Sequence, residues 1–178
     1  MNRIHLALVG ALALAGAAFP ALAADKDTVY LDTKDGRITI ELRPDIAPKH
    51  VAQLETLIKK GFYNGIVFHR VIDGFMAQTG DPTGTGRGGS DLPDVKAEFS
   101  KEHFGRGVVG MARAASPDSA NSQFFITFAD AGFLDGKYTI VGKVTAGMDV
   151  VDKIKRGEPP ANPDKIVKMQ MATDADKK

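Results

Sequence analysis

Turn signals interrupt this chain so often that only short elements fit between them. Asp35-Gly36, Gly61, Asp73-Gly74, the glycine-rich Gly80–Ser90 run (GDPTGTGRGGS), Pro117 and Asp135-Gly136 all favour abrupt changes of backbone direction. Between them lie brief alternating or β-branched runs. Val29–Asp32 and Arg37–Leu42 read as a hairpin. Ile66–Ile72, Phe75–Thr79, Val108–Ala112, Gln123–Phe128, Lys137–Thr145 and Ile166–Met171 read as further strands. Two segments show helical spacing instead: Pro48–Lys60, with Val51, Leu54, Leu57 and Ile58 on one stripe, and Met148–Arg156, with Val150, Val151 and Ile154 inward. About eight strands and two helices, closely punctuated, imply a mainly β fold, either a sandwich or a closed barrel.

The N-terminus reads as a separate unit. MNRIH is followed by the apolar LALVGALALAGAAF and by Ala21-Leu22-Ala23, the layout of a cleavable export signal over residues 1–23. The apolar run is shorter than the roughly 20 residues a membrane span needs, so no stable membrane insertion is expected after cleavage. Residues 24–178 then form one domain, with a loose tail over 171–178. The expected location is the periplasm, with secretion as the other outcome. The chain has no cysteine, which excludes disulfides and thiolate chemistry. Removing Arg3 with the signal leaves basic and acidic residues equal at 22 each. That balance argues against a nucleic-acid partner, and nothing in the sequence points away from a monomer.

Alternation locates the chemistry. In Gln123–Phe128, Phe124, Ile126 and Phe128 form a core face, and Gln123, Phe125 and Thr127 a mixed one. Met76 and Gln78 share a face, as do Phe68, Arg70 and Ile72. Apolar surface with a few polar groups beside it suits a pocket for a partly apolar ligand. Composition alone favours reading Phe75, Met76 and Phe125 as core, and leaves Arg70, Gln78 and Gln123 readable as surface residues. The permanent cation of Arg70 beside apolar neighbours needs either a partner or a task.

The wording of these segments resembles the cyclophilin family of peptidyl-prolyl isomerases. FHRVIDGFMAQTGD, GTGRGGS, GMARA, SQFFI and FLDGKYTIVGKV occur in that family's order, and with the export signal the chain looks like a bacterial periplasmic member. The resemblance implies a closed eight-stranded antiparallel barrel capped by two α-helices, with a substrate groove on its outer surface. It places the catalytic arginine on Arg70 and the proline pocket on Phe75, Met76, Phe125 and Leu134. It places peptide-binding glutamines on Gln78 and Gln123, and the segment that binds substrate backbone on Ala112, Arg113 and Ala114. Arg113 stands where many members have asparagine, Phe133 where cyclosporin-sensitive members have tryptophan, and Tyr138 where many have a pocket-lining histidine. Weak or no cyclosporin binding follows. The implied partners are unfolded or proline-containing polypeptides, and the implied reaction needs no cofactor or metal.

Other classes fit less well. The Gly80–Ser90 run lacks the Gly-Lys-Ser/Thr ending of a phosphate-binding loop and reads as a wide turn in which Gly86 and Gly88 permit positive φ. His50, His69 and His103 lack metal-ligand spacing, and His69 reads as a hydrogen-bonded structural residue. No serine lies in a Gly-x-Ser-x-Gly context. The competing reading is a peptide-holding chaperone that uses the same groove.

Overall fold

The hairpin forms where the alternation is cleanest. In the computed structural model, which describes residues 26–175, β1 (Thr28–Thr33) pairs antiparallel with β2 (Gly36–Leu42) across the Asp35-Gly36 turn. The α-helix α1 (Pro48–Lys59) follows, with proline in its first turn and Val51, Leu54, Leu57 and Ile58 buried. Then come β3 (Arg70–Ile72), β4 (Met76–Thr79), β5 (Val108–Met111) and β6 (Phe124–Thr127). The chain ends with β7 (Ile140–Ala146), the short helix α2 (Met148–Lys153), β8 (Lys168–Met171) and the four-residue helix α3 (Ala172–Ala175). Residues 1–23, read above as an export signal, and 176–178 lie outside the described residues. No described helix is long and apolar enough to cross a membrane.

All eight strands join one antiparallel sheet in the order β3-β4-β6-β5-β7-β2-β1-β8. The expected closed barrel does not form. The sheet curls but stays open, with β3 and β8 as its ends. The strand expected over Ile66–Ile72 begins only at Arg70, and that expected over Ile166–Met171 only at Lys168. The segments before them carry an isolated Val67–Lys165 bridge in place of a ladder. Among the described residues three α-helices form instead of two. The tail expected to be loose from 171 is ordered through Ala175: Met171 ends β8, and α3 packs on β1 and β8 with Ala172 buried.

The sheet separates two apolar clusters. Its concave side, closed by the helices, buries Leu31, Ile38, Ile40, Leu57, Phe68, Phe124, Ile126 and Ile166, among others. Tyr63 joins this core, its phenol donating to the Ser122 carbonyl at 2.9 Å. Against the outer face lie Met76, Phe104, Val108, Phe125, Ala131, Leu134 and Ile140. Neighbours on one strand therefore serve opposite cores, Phe124 and Ile126 one and Phe125 the other, as period-two alternation requires. The same rule fails at Phe68. It was expected to share a face with Arg70, but the backbone there is not yet a regular strand and Phe68 turns into the main core.

Candidate active site

Arg70, Gln78, Phe125 and Gly110 stand opposite one another on β3, β4, β6 and β5. They form a row across the outer face of the sheet. Arg70 is half-exposed. Its Nε donates to Glu158 Oε2 at 2.8 Å, and its Nη1 approaches Gln78 Oε1 at 3.4 Å. Gln78 Nε2 donates to Gln123 Oε1 at 2.8 Å, and Gln123 Nε2 donates to the Gly86 and Gly88 carbonyls at 3.1 and 2.8 Å. One chain of polar contacts thus runs from the arginine to the glycine-rich loop.

Beside this chain is a hollow of about 260 Å³, lined by Arg70, Phe75, Met76, Gln78, Ala112, Arg113, Phe125, Phe133, Leu134 and Tyr138. Met76, Phe125 and Leu134 are buried and form its apolar base. Phe133, 62% exposed, stands at the rim 5.2 Å from the Phe75 ring, and Tyr138 meets Phe125 edge-on. The Arg113 guanidinium lies 4.4 Å above the Tyr138 ring and donates to the carbonyls of Ala114, Ala115 and Lys137. It is tied down as a wall of the hollow. Below the rim, His103 is held between Asp135 and Asp130 at 2.8 and 2.5 Å, and Asp135 also accepts from the Phe104 N–H. Those carboxylates raise the pKa of His103, since only the cation has an N–H for each. The cluster anchors the turn that carries Phe133 and Leu134.

A second hollow, of about 560 Å³, adjoins the first and shares Gln78, Ala112 and Arg113 with it. It takes in Ala114 and Gln123, together with Gly86 to Ser90, Asp94, Ser119 and Asn121. The Ala112 N–H is already committed to the Gln123 carbonyl, and the Ala114 N–H to Ser119 Oγ. The sequence-expected site residues therefore divide, ten around the first hollow and Ala114 and Gln123 around the second. Sequence reasoning missed Glu158, Asn121 and Gly110. Only Gly110 carried a signal, since a glycine inside a strand marks the close approach of another group.

Asp81 shapes the loop beside this second hollow. Its buried carboxylate accepts from the Thr83 N–H and hydroxyl at 2.8 Å each and from the Gly86 N–H at 2.6 Å. Burial alone would raise its pKa. The Thr83 hydroxyl and the backbone N–H groups outweigh burial and lower it to about 2. Gly86 has the positive φ expected, +82°, whereas Gly88 is needed for space: a Cβ there would stand 2.1 Å from Asp81 Oδ1. An Asp with a depressed folded pKa stabilises above its unfolded value of ~3.9, and loses that contribution as pH falls toward the folded one. Asp81→Ala is therefore expected to cost roughly 2–3 kcal/mol at pH 7, read from urea unfolding, with the gap narrowing between pH 4 and pH 2. Equal urea midpoints for the two proteins at pH 7 would overturn this account.

The His69 ring is buried beneath Gly86; neither nitrogen makes a well-formed hydrogen bond among the described residues, and a looser interaction with the Gln123 side chain is what remains of the hydrogen bonding expected there. Burial lowers its pKa, partly offset by nearby Asp81, so at neutral pH it is an uncharged packing group.

The family model "Cyclophilin type peptidyl-prolyl cis-trans isomerase/CLD" matches residues 28–171. A probable peptidyl-prolyl cis-trans isomerase of Brucella suis is 54% identical, the alignment covering 98% of this chain and 99% of that protein. A cyclophilin crystal structure from Hirschia baltica matches with TM-score 0.78 at 33% identity, over 85% of this chain and 76% of that one. A Cryptosporidium parvum cyclophilin type peptidyl-prolyl cis-trans isomerase, crystallised in the presence of the dipeptide Ala-Pro, matches with TM-score 0.75 at 30% identity, over 81% of this chain and 98% of that one.

Proposed function

The chain belongs to the cyclophilin type peptidyl-prolyl cis-trans isomerases, and from that premise we propose that it turns X–Pro bonds in exported polypeptides, with Arg70 stabilising the twisted peptide. The observation that carries this reading is the single hollow that holds the Arg70 guanidinium with Phe75, Met76, Phe125 and Leu134. Its size and apolar base suit a proline ring. The adjoining hollow continues the groove for residues on one side of the proline.

Rotation about an amide bond faces a barrier of ~18–20 kcal/mol from C–N double-bond character. Uncatalysed X–Pro bonds interconvert over roughly tens to hundreds of seconds, with the two isomers close in energy. No bond is made or broken, so the catalyst has only to favour the twisted state. In that state the prolyl nitrogen regains its lone pair. A donor aimed at this nitrogen has almost no acceptor in the planar amide and a good one at the midpoint of the turn. Such differential binding is what raises the rate. The nearby apolar surface holds the ring while the preceding carbonyl swings, and the Gln78–Gln123 pair is placed to meet the peptide backbone.

The localisation part of the proposal rests on residues 1–23, and release of residues 24–178 into a periplasmic fraction would test it. The Phe133 side chain at the rim lacks the indole N–H a tryptophan would offer, and weak or no cyclosporin binding is part of the proposal. Function is tested on an exported protein whose slow refolding phase is prolyl isomerisation, beside the aggregation of a proline-free client. Acceleration of the first without suppression of the second is expected. The reverse outcome would make the chain a holding chaperone.

A further inference from the structure

A residue far along the chain completes the row that contains Arg70. Val71 and Gly157 exchange both backbone hydrogen bonds, each at 2.8 Å, as an isolated antiparallel bridge. In antiparallel pairing, the residue before one partner stands opposite the residue after the other, on the same side of the pleat. Arg70 therefore faces Glu158. Val71 points into the main core, so the pair lies on the groove side. Pro159 and Pro160 follow, and their rings restrict the backbone leaving Glu158.

We propose that Glu158 is a positioning residue for the isomerisation. Its carboxylate holds the Nε edge of the Arg70 guanidinium, and the Nη groups are turned toward the peptide. The inference rests on the role proposed above for Arg70. An arginine side chain has several free torsions, and its Gln78 contact, at 3.4 Å, is too long to hold the guanidinium plane. The 2.8 Å contact to Glu158 is the short anchor. A carboxylate here also partly neutralises the cation, which would slow catalysis. Anchoring and neutralisation thus predict opposite signs for removal of the side chain, and anchoring is the effect assigned.

The test measures kcat and peptide Kd by NMR exchange on an Xaa–Pro peptide for the wild type, Glu158→Ala, Glu158→Gln, Arg70→Ala and the Arg70→Ala/Glu158→Ala double variant. Glu158→Ala is expected to lower kcat about fivefold, with Kd changed by less than about twofold and an unchanged melting temperature. Glu158→Gln keeps an oxygen acceptor and is expected to retain at least about half of kcat. In the Arg70→Ala background, removing Glu158 should change nothing further. A Glu158→Ala enzyme as fast as the wild type or faster would overturn the proposal, as would the same fractional loss in both backgrounds. Arg70→Ala on its own reports separately on the underlying reading: wild-type kcat in that variant would remove the role of Arg70 first.

Discussion

Arg70→Ala is expected to lower kcat/KM for an Xaa–Pro peptide by about 10–100-fold while leaving the melting temperature nearly unchanged. A charge-assisted hydrogen bond contributes ~1.5–3 kcal/mol, and each 1.36 kcal/mol is about tenfold in rate. The stability side follows from position. The side chain is 42% exposed and its ion-pair partner 51%, and exposed pairs contribute about 0–1 kcal/mol. Arg70→Lys should recover little of the loss. Lysine is a point charge without the planar fork by which, in the proposed mechanism, one guanidinium holds Glu158 through Nε and presents its Nη groups to the substrate. A protease-coupled or NMR exchange assay measures the rate, and circular dichroism the melting. Wild-type kcat/KM in a folded Arg70→Ala variant would remove Arg70 from the mechanism.

Gly110→Ala should damage the site from beneath. Gly110 lies opposite Phe125 in the ladder, and a Cβ on it would come within 2.5 Å of Phe125 Cζ and 2.7 Å of Phe104 Cε1. Both rings are buried and stacked at 5.9 Å, so the added methyl has no slack to use. Phe125 lines the hollow that also holds Arg70 and Phe75, so its way out is upward into that hollow. Overpacking of this kind costs about 1–3 kcal/mol. The expected result is a drop in kcat/KM of at least about tenfold, carried mostly by weaker peptide binding, together with a lower melting temperature. Gly110→Val should be worse in both respects. An Ala variant that lost stability but bound and turned the peptide as the wild type does would mean that the ring shifts elsewhere and that Phe125 is not the base of the pocket.

What could be read from the sequence was local. SQFFI assigned Phe124 and Phe125 to opposite faces, and the structure puts them in the two separate cores. The same reading failed at Phe68, because alternation holds only where the backbone is an extended strand, and that strand begins at Arg70. Asp81 sat inside a run read as a wide turn, and nothing in GDPTGTG reveals that its carboxylate is buried and gathers the loop's N–H groups. Glu158 was invisible for a different reason. It lies 88 residues from Arg70, and no spacing rule reaches that far.

The residue pattern alone determined that the chain is mainly β, where the two principal helices lie, and which faces of single strands are apolar, because these follow from side-chain periodicity over a few residues. Whether the sheet would close, which side chains would share the row with Arg70, and what would hold the guanidinium were decided only in three dimensions. Those features depend on strand register and loop docking, which are set by contacts between segments distant in sequence, as at the two ends of the sheet, where the segments before β3 and β8 meet in one isolated bridge.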